Sequence, residues 1–163
     1  MTVELISLAE RLGEKMRSEG SHLVTAESCT GGWIAQIITA VPGSSQWYDR
    51  GFITYTNDSK HELLGVRNET LREHGAVSEE TVLQMAEGAL LQSPAKYSVA
   101  VSGIAGPDGG TAAKPVGTVF LAWGVMQQTT RIERKLFHGN RDEIRQAAVV
   151  AALEGLISLV NMT

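Results

Sequence analysis

Ser28 stands at a corner of the chain. The apolar run Leu23-Val24-Thr25-Ala26 has strand character, Glu27 and Ser28 follow it, and Gly31-Gly32 precede a helical pattern. A serine placed there lies at the open end of a sheet, where it can attack a bound ligand if a base and an oxyanion site are at hand. The corner has the layout of a nucleophile elbow without its G-x-S-x-G pattern. The backbone amides of Thr30, Gly31 and Gly32 are expected to be the unpaired donors of the following helix, suited to an oxyanion or a phosphate. Local sequence leaves a second reading open, in which Ser28 merely caps that helix.

Tyr55 and Lys60 follow a second strand-like run, Gly51-Phe52-Ile53-Thr54-Tyr55. A desolvated lysine can serve as a base and a tyrosine can relay a proton. Equally, spacing allows a surface lysine and a core tyrosine. The loop Gly103-Ile104-Ala105-Gly106-Pro107-Asp108-Gly109-Gly110 follows a third strand, and its four glycines let backbone approach a ligand closely. It matches neither the dinucleotide-binding nor the P-loop fingerprint. His61-Glu62 begins a H-E-x-x-H pattern, but Gly65 occupies the second histidine's place, so no metal site is expected. Cys29 reads as a small buried neighbour of Ser28 rather than a thiolate. Trp47 and Tyr48 are placed in a loop that could line a pocket.

The elements that must hold these groups follow from periodicity. Leu5, Leu8, Ala9, Leu12 and Met16 lie at helical spacing before Gly20. Residues 22–26 read as a strand, and a helix is expected from about Thr30 to Pro42. A short helix ending at Leu64 would be capped by Asp58 or Ser59. Ser78 caps a longer helix with Glu79 and Glu80 in its first turn. Strands are expected at 97–102, at 116–125 and, nearer an edge, at 131–137. Asn140 caps a last helix whose Ile144, Ala148, Ala151, Gly155 and Leu159 share a face, the small residues allowing close packing. The order predicts an α/β domain with a mixed sheet between helical layers.

The chain has 163 residues and is read as one domain, residues 1–163. A net charge of −4 argues against a nucleic-acid partner. Residues 1–20 carry no signal-peptide core, no run is apolar enough for a membrane span, and the single cysteine rules out an internal disulfide. A cytoplasmic location is expected.

Five stretches together resemble the CinA C-terminal domain family: Thr25-Ala26-Glu27-Ser28-Cys29-Thr30-Gly31-Gly32, Gly51-Phe52-Ile53-Thr54-Tyr55-Thr56-Asn57, His74-Gly75-Ala76-Val77-Ser78, the loop from Ser102 to Gly110, and Lys114-Pro115-Val116-Gly117-Thr118-Val119. The resemblance runs in order over nearly the whole chain. It implies a three-layer α/β/α domain similar to anticodon-binding domains. It also implies a nicotinamide-nucleotide amidase, a hydrolase that converts nicotinamide mononucleotide to nicotinate mononucleotide and ammonia in pyridine-nucleotide recycling. Ser28 would be the nucleophile, with Tyr55 and Lys60 moving the proton. No cofactor or metal is implied, and a homodimer or higher homo-oligomer is. Thr30, Gly31 and Gly32 are then assigned to the oxyanion. Gly103, Ala105, Gly106, Gly109 and Gly110, with Thr111 or Lys114, are assigned to the substrate phosphate. Arg141 and Arg145 are a second phosphate candidate, against a solvated helix face. A non-catalytic pyridine-nucleotide-binding module, linked to competence or DNA damage, is the alternative.

Overall fold

The computed structural model describes residues 2–162. Its elements run α1 (Thr2–Glu19), β1 (Leu23–Glu27), α2 (Trp33–Thr39), β2 (Tyr48–Ile53), α3 (Asn57–Leu64), α4 (Asn68–His74), α5 (Glu79–Leu91), β3 (Tyr97–Gly103), β4 (Thr118–Val125), β5 (Arg131–Leu136) and α6 (Arg141–Met162). The strands form one sheet in the order β2-β1-β3-β4-β5. The β2-β1-β3 pairings are parallel and the β3-β4-β5 pairings antiparallel, so the sheet is mixed as expected. Apolar residues occupy both sides of the central strands because helices cover both faces. Leu23, Val99, Val101 and Leu121 face α1, α2 and α6. Val24, Ala26, Ala100 and Ala122 face the layer of α3, α4 and α5. The polar strand β5 lies at an edge, as its sequence suggests.

Several boundaries differ from the sequence reading, each for a physical reason. α2 begins at Trp33 rather than near Thr30, because Gly31 and Gly32 hold φ of +59° and +101°, which a right-handed helix excludes. α3 begins at Asn57 and is capped at Thr56, two residues or more before the expected cap at Asp58 or Ser59, since Thr56 and Ser59 form a reciprocal capping pair. The two-turn helix α4, whose cap position holds Arg67 without a side-chain bond, lacks the start signal that would have marked it. Trp47 is fully buried in the core, and Tyr48 is a strand residue bonded to Thr25, so neither lines a ligand pocket.

The start of α6 and its small-residue face bear out the sequence reading. Asn140 Oδ1 accepts the Glu143 amide at 2.9 Å, and Glu143 accepts the Asn140 amide at 3.0 Å. Further along, a Cβ on Gly155 would lie 2.2 Å from the Trp123 ring. That bare backbone lets Trp123 nest under the helix and donate its indole N–H to Ala152 O at 3.0 Å. α6 is thereby held close to β4, with its first turn at the end of the sheet where β1 and β3 stop.

Candidate active site

Ser28 is the first residue beyond β1, and its amide still donates to Val101 O on β3. Glu27 faces α2, so alternation turns Ser28 to the opposite face, toward α3. From α3, Lys60 reaches back under the strand ends. Its Nζ lies 2.9 Å from Ser28 Oγ, 2.7 Å from Thr54 O and 3.4 Å from Tyr55 O. Both side chains are buried, Lys60 completely. Among the described residues no carboxylate pairs with this lysine. Burial pushes its ammonium down to about 8, with the neighbouring Cys29 acting in the opposite direction.

The contact set serves both forms of the amine: as the ammonium, Lys60 donates to Ser28 Oγ, Thr54 O and Tyr55 O. A neutral –NH₂ has two hydrogens and one lone pair. The carbonyls of Thr54 and Tyr55 can only accept, so they take the hydrogens and leave the lone pair toward Ser28. The segment 54–60 thus supplies both the amine and the carbonyls that orient it.

These residues open into a pocket of about 280 Å³ beyond the carboxyl ends of β1 and β3, the usual place for ligands in α/β sheets. Tyr55, Ala76, Val77 and Ser102 share its wall with Gly103, Ala105, Gly106, Asp108, Gly109 and Arg141. Tyr55 is largely exposed at the rim, and its hydroxyl accepts from Arg141 Nη2 at 3.1 Å. Arg141 Nη1 also donates to Gly106 O at 2.8 Å. One guanidinium therefore joins the rim tyrosine to the glycine loop.

The structure brings Ser28, Tyr55, Lys60, Gly103, Ala105, Gly106 and Gly109 together. It sets Thr30, Gly31, Gly32 and Gly110 outside the pocket wall. The Gly31 amide is spent on Ser28 O at 3.0 Å, and the Thr30 hydroxyl on Glu27 at 2.7 Å. The free donors of α2 are satisfied from within: the Glu27 carboxylate accepts from Ile34 N at 2.9 Å and Ala35 N at 3.1 Å. Gly110 packs against the Val116 backbone instead. Lys114 donates to His74 O and Val77 O, and Thr111 accepts the Lys114 amide, so both act as ties within the fold. Of the two arginines, Arg145 braces the Ser28 turn from behind through Cys29 O at 3.0 Å and Thr30 O at 3.2 Å. Only Arg141 lines the pocket. The Cys29 thiol is buried and pushed up to about 11, which keeps it protonated at neutral pH.

Sequence reasoning gave no individual role to Ala76, Val77, Ser102 or Asp108, although all fall inside the five stretches that carry the family resemblance. Among the described residues no group of His, Cys, Asp and Glu is arranged to hold a metal ion, and no helix is long and apolar enough to cross a membrane.

Residues 5–160 match the CinA C-terminal domain. The chain is 50% identical over 153 residues to the nicotinamide-nucleotide amidohydrolase PncC of Escherichia coli K12, covering 94% of this chain and 93% of that one. It is 51% identical over 155 residues to the protein of the same name from Pseudomonas putida, covering 95% and 96%. Among solved structures, the competence/damage inducible protein CihA of Agrobacterium tumefaciens superposes with a TM-score of 0.93 at 49% identity. It covers 96% of this chain and 95% of its own.

Proposed function

The chain belongs to the CinA C-terminal domain family, and on that premise we propose that it hydrolyses the carboxamide of nicotinamide mononucleotide, with Ser28 as nucleophile and Lys60 as base. The observation that carries this reading is the buried Lys60 Nζ placed 2.9 Å from Ser28 Oγ at the foot of a pocket. A module that only binds nucleotide has no need of a desolvated amine on a hydroxyl.

The chemistry balances with this pair alone. Lys60 takes the Ser28 proton as Oγ bonds to the carboxamide carbon, and the carbonyl π electrons move onto oxygen. Collapse restores the C=O bond and breaks the C–N bond, and the Lys60 ammonium returns the proton to the departing ammonia. Water then adds to the acyl-serine while Lys60 takes a proton from it. Ser28 leaves with that proton, and nicotinate mononucleotide is released. The direct Lys60–Ser28 contact needs no relay through Tyr55. Tyr55 instead orients Lys60 through its carbonyl and Arg141 through its hydroxyl.

Arg141, beside Gly106 and Gly109 at the mouth, is the assigned phosphate partner. Among the described residues its guanidinium is the one cation other than Lys60 on the pocket wall. The carboxamide end then lies at Ser28 and the phosphate at the rim.

Ammonia release from nicotinamide mononucleotide tests the reading. Wild type is expected to turn over and Ser28→Ala to lose activity while still binding substrate. Ser28→Ala turnover within tenfold of wild type would sink the assignment of the nucleophile.

A further inference from the structure

The Gly31, Ile34 and Ala35 amides are committed inside the turn, so a donor from another element would add to the hold on the oxyanion that forms at Ser28. β3 supplies one. Glu27 pairs with Val101 in the parallel register, and the Ser28 amide continues that ladder, which sets Ser102 beside Ser28. Alternation puts Ser102 on the face of Ala100, the same face from which Lys60 approaches. The two hydroxyls are not hydrogen-bonded to each other: Ser28 Oγ is held by Lys60, and both serines line the pocket.

Ser102 is 1% exposed, lines the pocket, and has no side-chain hydrogen bond among the described residues. The contrast is on its own strand. Ser98, also buried and on the same face, spends its hydroxyl on Ala86 O at 3.0 Å. The Ser102 hydroxyl is thus free to meet a ligand in the pocket.

Resting on the amidase reading above, we propose that Ser102 is a further catalytic residue, whose hydroxyl donates a hydrogen bond to the carboxamide oxygen as charge develops on it. No proton is transferred by Ser102. It strengthens a bond that is weak to the ground-state carbonyl and strong to the oxyanion, so it acts on kcat.

The test compares wild type, Ser102→Ala and Ser102→Thr in ammonia release from nicotinamide mononucleotide, with melting curves. A parallel assay follows labelling by diisopropyl fluorophosphate. There Ser28 Oγ bonds to phosphorus, fluoride leaves, Lys60 takes the proton, and the phosphoryl oxygen needs the same donor. Ser102→Ala is expected to lower kcat by about 10²–10³, the cost of one oxyanion donor, with KM within threefold and slower labelling. Ser102→Thr, which keeps the hydroxyl, is expected to stay within tenfold of wild type. A kcat for Ser102→Ala within fivefold of wild type overturns the proposal, and so does a change confined to KM. A loss in Ser102→Thr as large as in Ser102→Ala overturns it too. If wild type releases no ammonia, the amidase reading fails by itself and labelling decides Ser102: equal rates in wild type and Ser102→Ala reject it.

Discussion

A fully buried lysine with no carboxylate beside it is tuned to lose its proton at a lower pH than an exposed one. Lys60 has an ordinary value of 10.5 in the unfolded chain and about 8 in the fold, because burial penalises the charged form. Activity is therefore expected to rise with pH through about 8, as the neutral amine becomes the resting species, and kcat/KM against pH shows it. Lys60→Ala is expected to lose about 10²–10⁴ in rate, the range of general acid–base catalysis. A variant that keeps the wild-type limb near pH 8 would remove Lys60 from the role of base. The same shift has a stability consequence whose sign is fixed by proton counts. Between pH 8 and 10.5 the unfolded chain binds more protons at this site than the fold, so wild type gains stability with rising pH across that window. Lys60→Met lacks the site. Urea unfolding of the two at pH 7.5 and 10 is expected to show wild type gaining relative to the variant, and a constant difference would mean the lysine titrates normally.

At the scale of elements, the turn between β1 and α2 decides where Ser28 points. Glu27 is buried at the strand end and holds Thr30, Ile34 and Ala35, while Arg145 holds the carbonyls of Cys29 and Thr30. Glu27→Ala leaves buried amides without acceptors, a cost of about 1–3 kcal/mol, and loosens the turn. It is expected to lower stability by that amount in urea titration and kcat at least tenfold, and full kcat in a destabilised protein would show that Arg145 holds the turn alone. Little of this was legible in the sequence. Periodicity and caps located most of the elements, since Leu5 to Met16, Ser78 and Asn140 are local signals. The start of α2 was missed because two positive-φ glycines and a carboxylate seven residues back from Ile34 are not visible in a hydropathy pattern. The pairing of Ser28 with Lys60 spans 32 residues, and spacing alone could not choose between a base and a surface lysine. Lys114 looked like a phosphate ligand by its place beside a glycine loop. The structure shows its ammonium occupied by the carbonyls that lead into α5.

For the molecule as a whole, the pocket depends on α6 being pressed against the sheet, because its first turn delivers Arg141 to the mouth and Arg145 to the back of the Ser28 turn. The contact that sets this distance is remote from the chemistry. Gly155 lies 14 residues after Arg141, about 21 Å along the helix, and a Cβ there would meet the Trp123 ring at 2.2 Å. The ring cannot retreat freely, since its N–H is fixed on Ala152 O and Arg131 stacks over it at 4.4 Å. Gly155→Ala gains helix propensity of about 1 kcal/mol at most against overpacking of about 1–3 kcal/mol. The clash is therefore expected to win and lower Tm by a few degrees, at about 2–4 °C per kcal/mol for a chain of this size. How the strain is relieved then separates two mechanical pictures. If α6 tilts about Gly155, Arg141 leaves Gly106 and KM for the phosphate-bearing substrate rises, while a dephosphorylated nicotinamide riboside is turned over as by wild type. If Trp123 shifts instead, Tm falls with both KM values unchanged. An unchanged Tm would show that the seam between α6 and β4 has slack, and that the close fit at Gly155 does not set the position of the arginines.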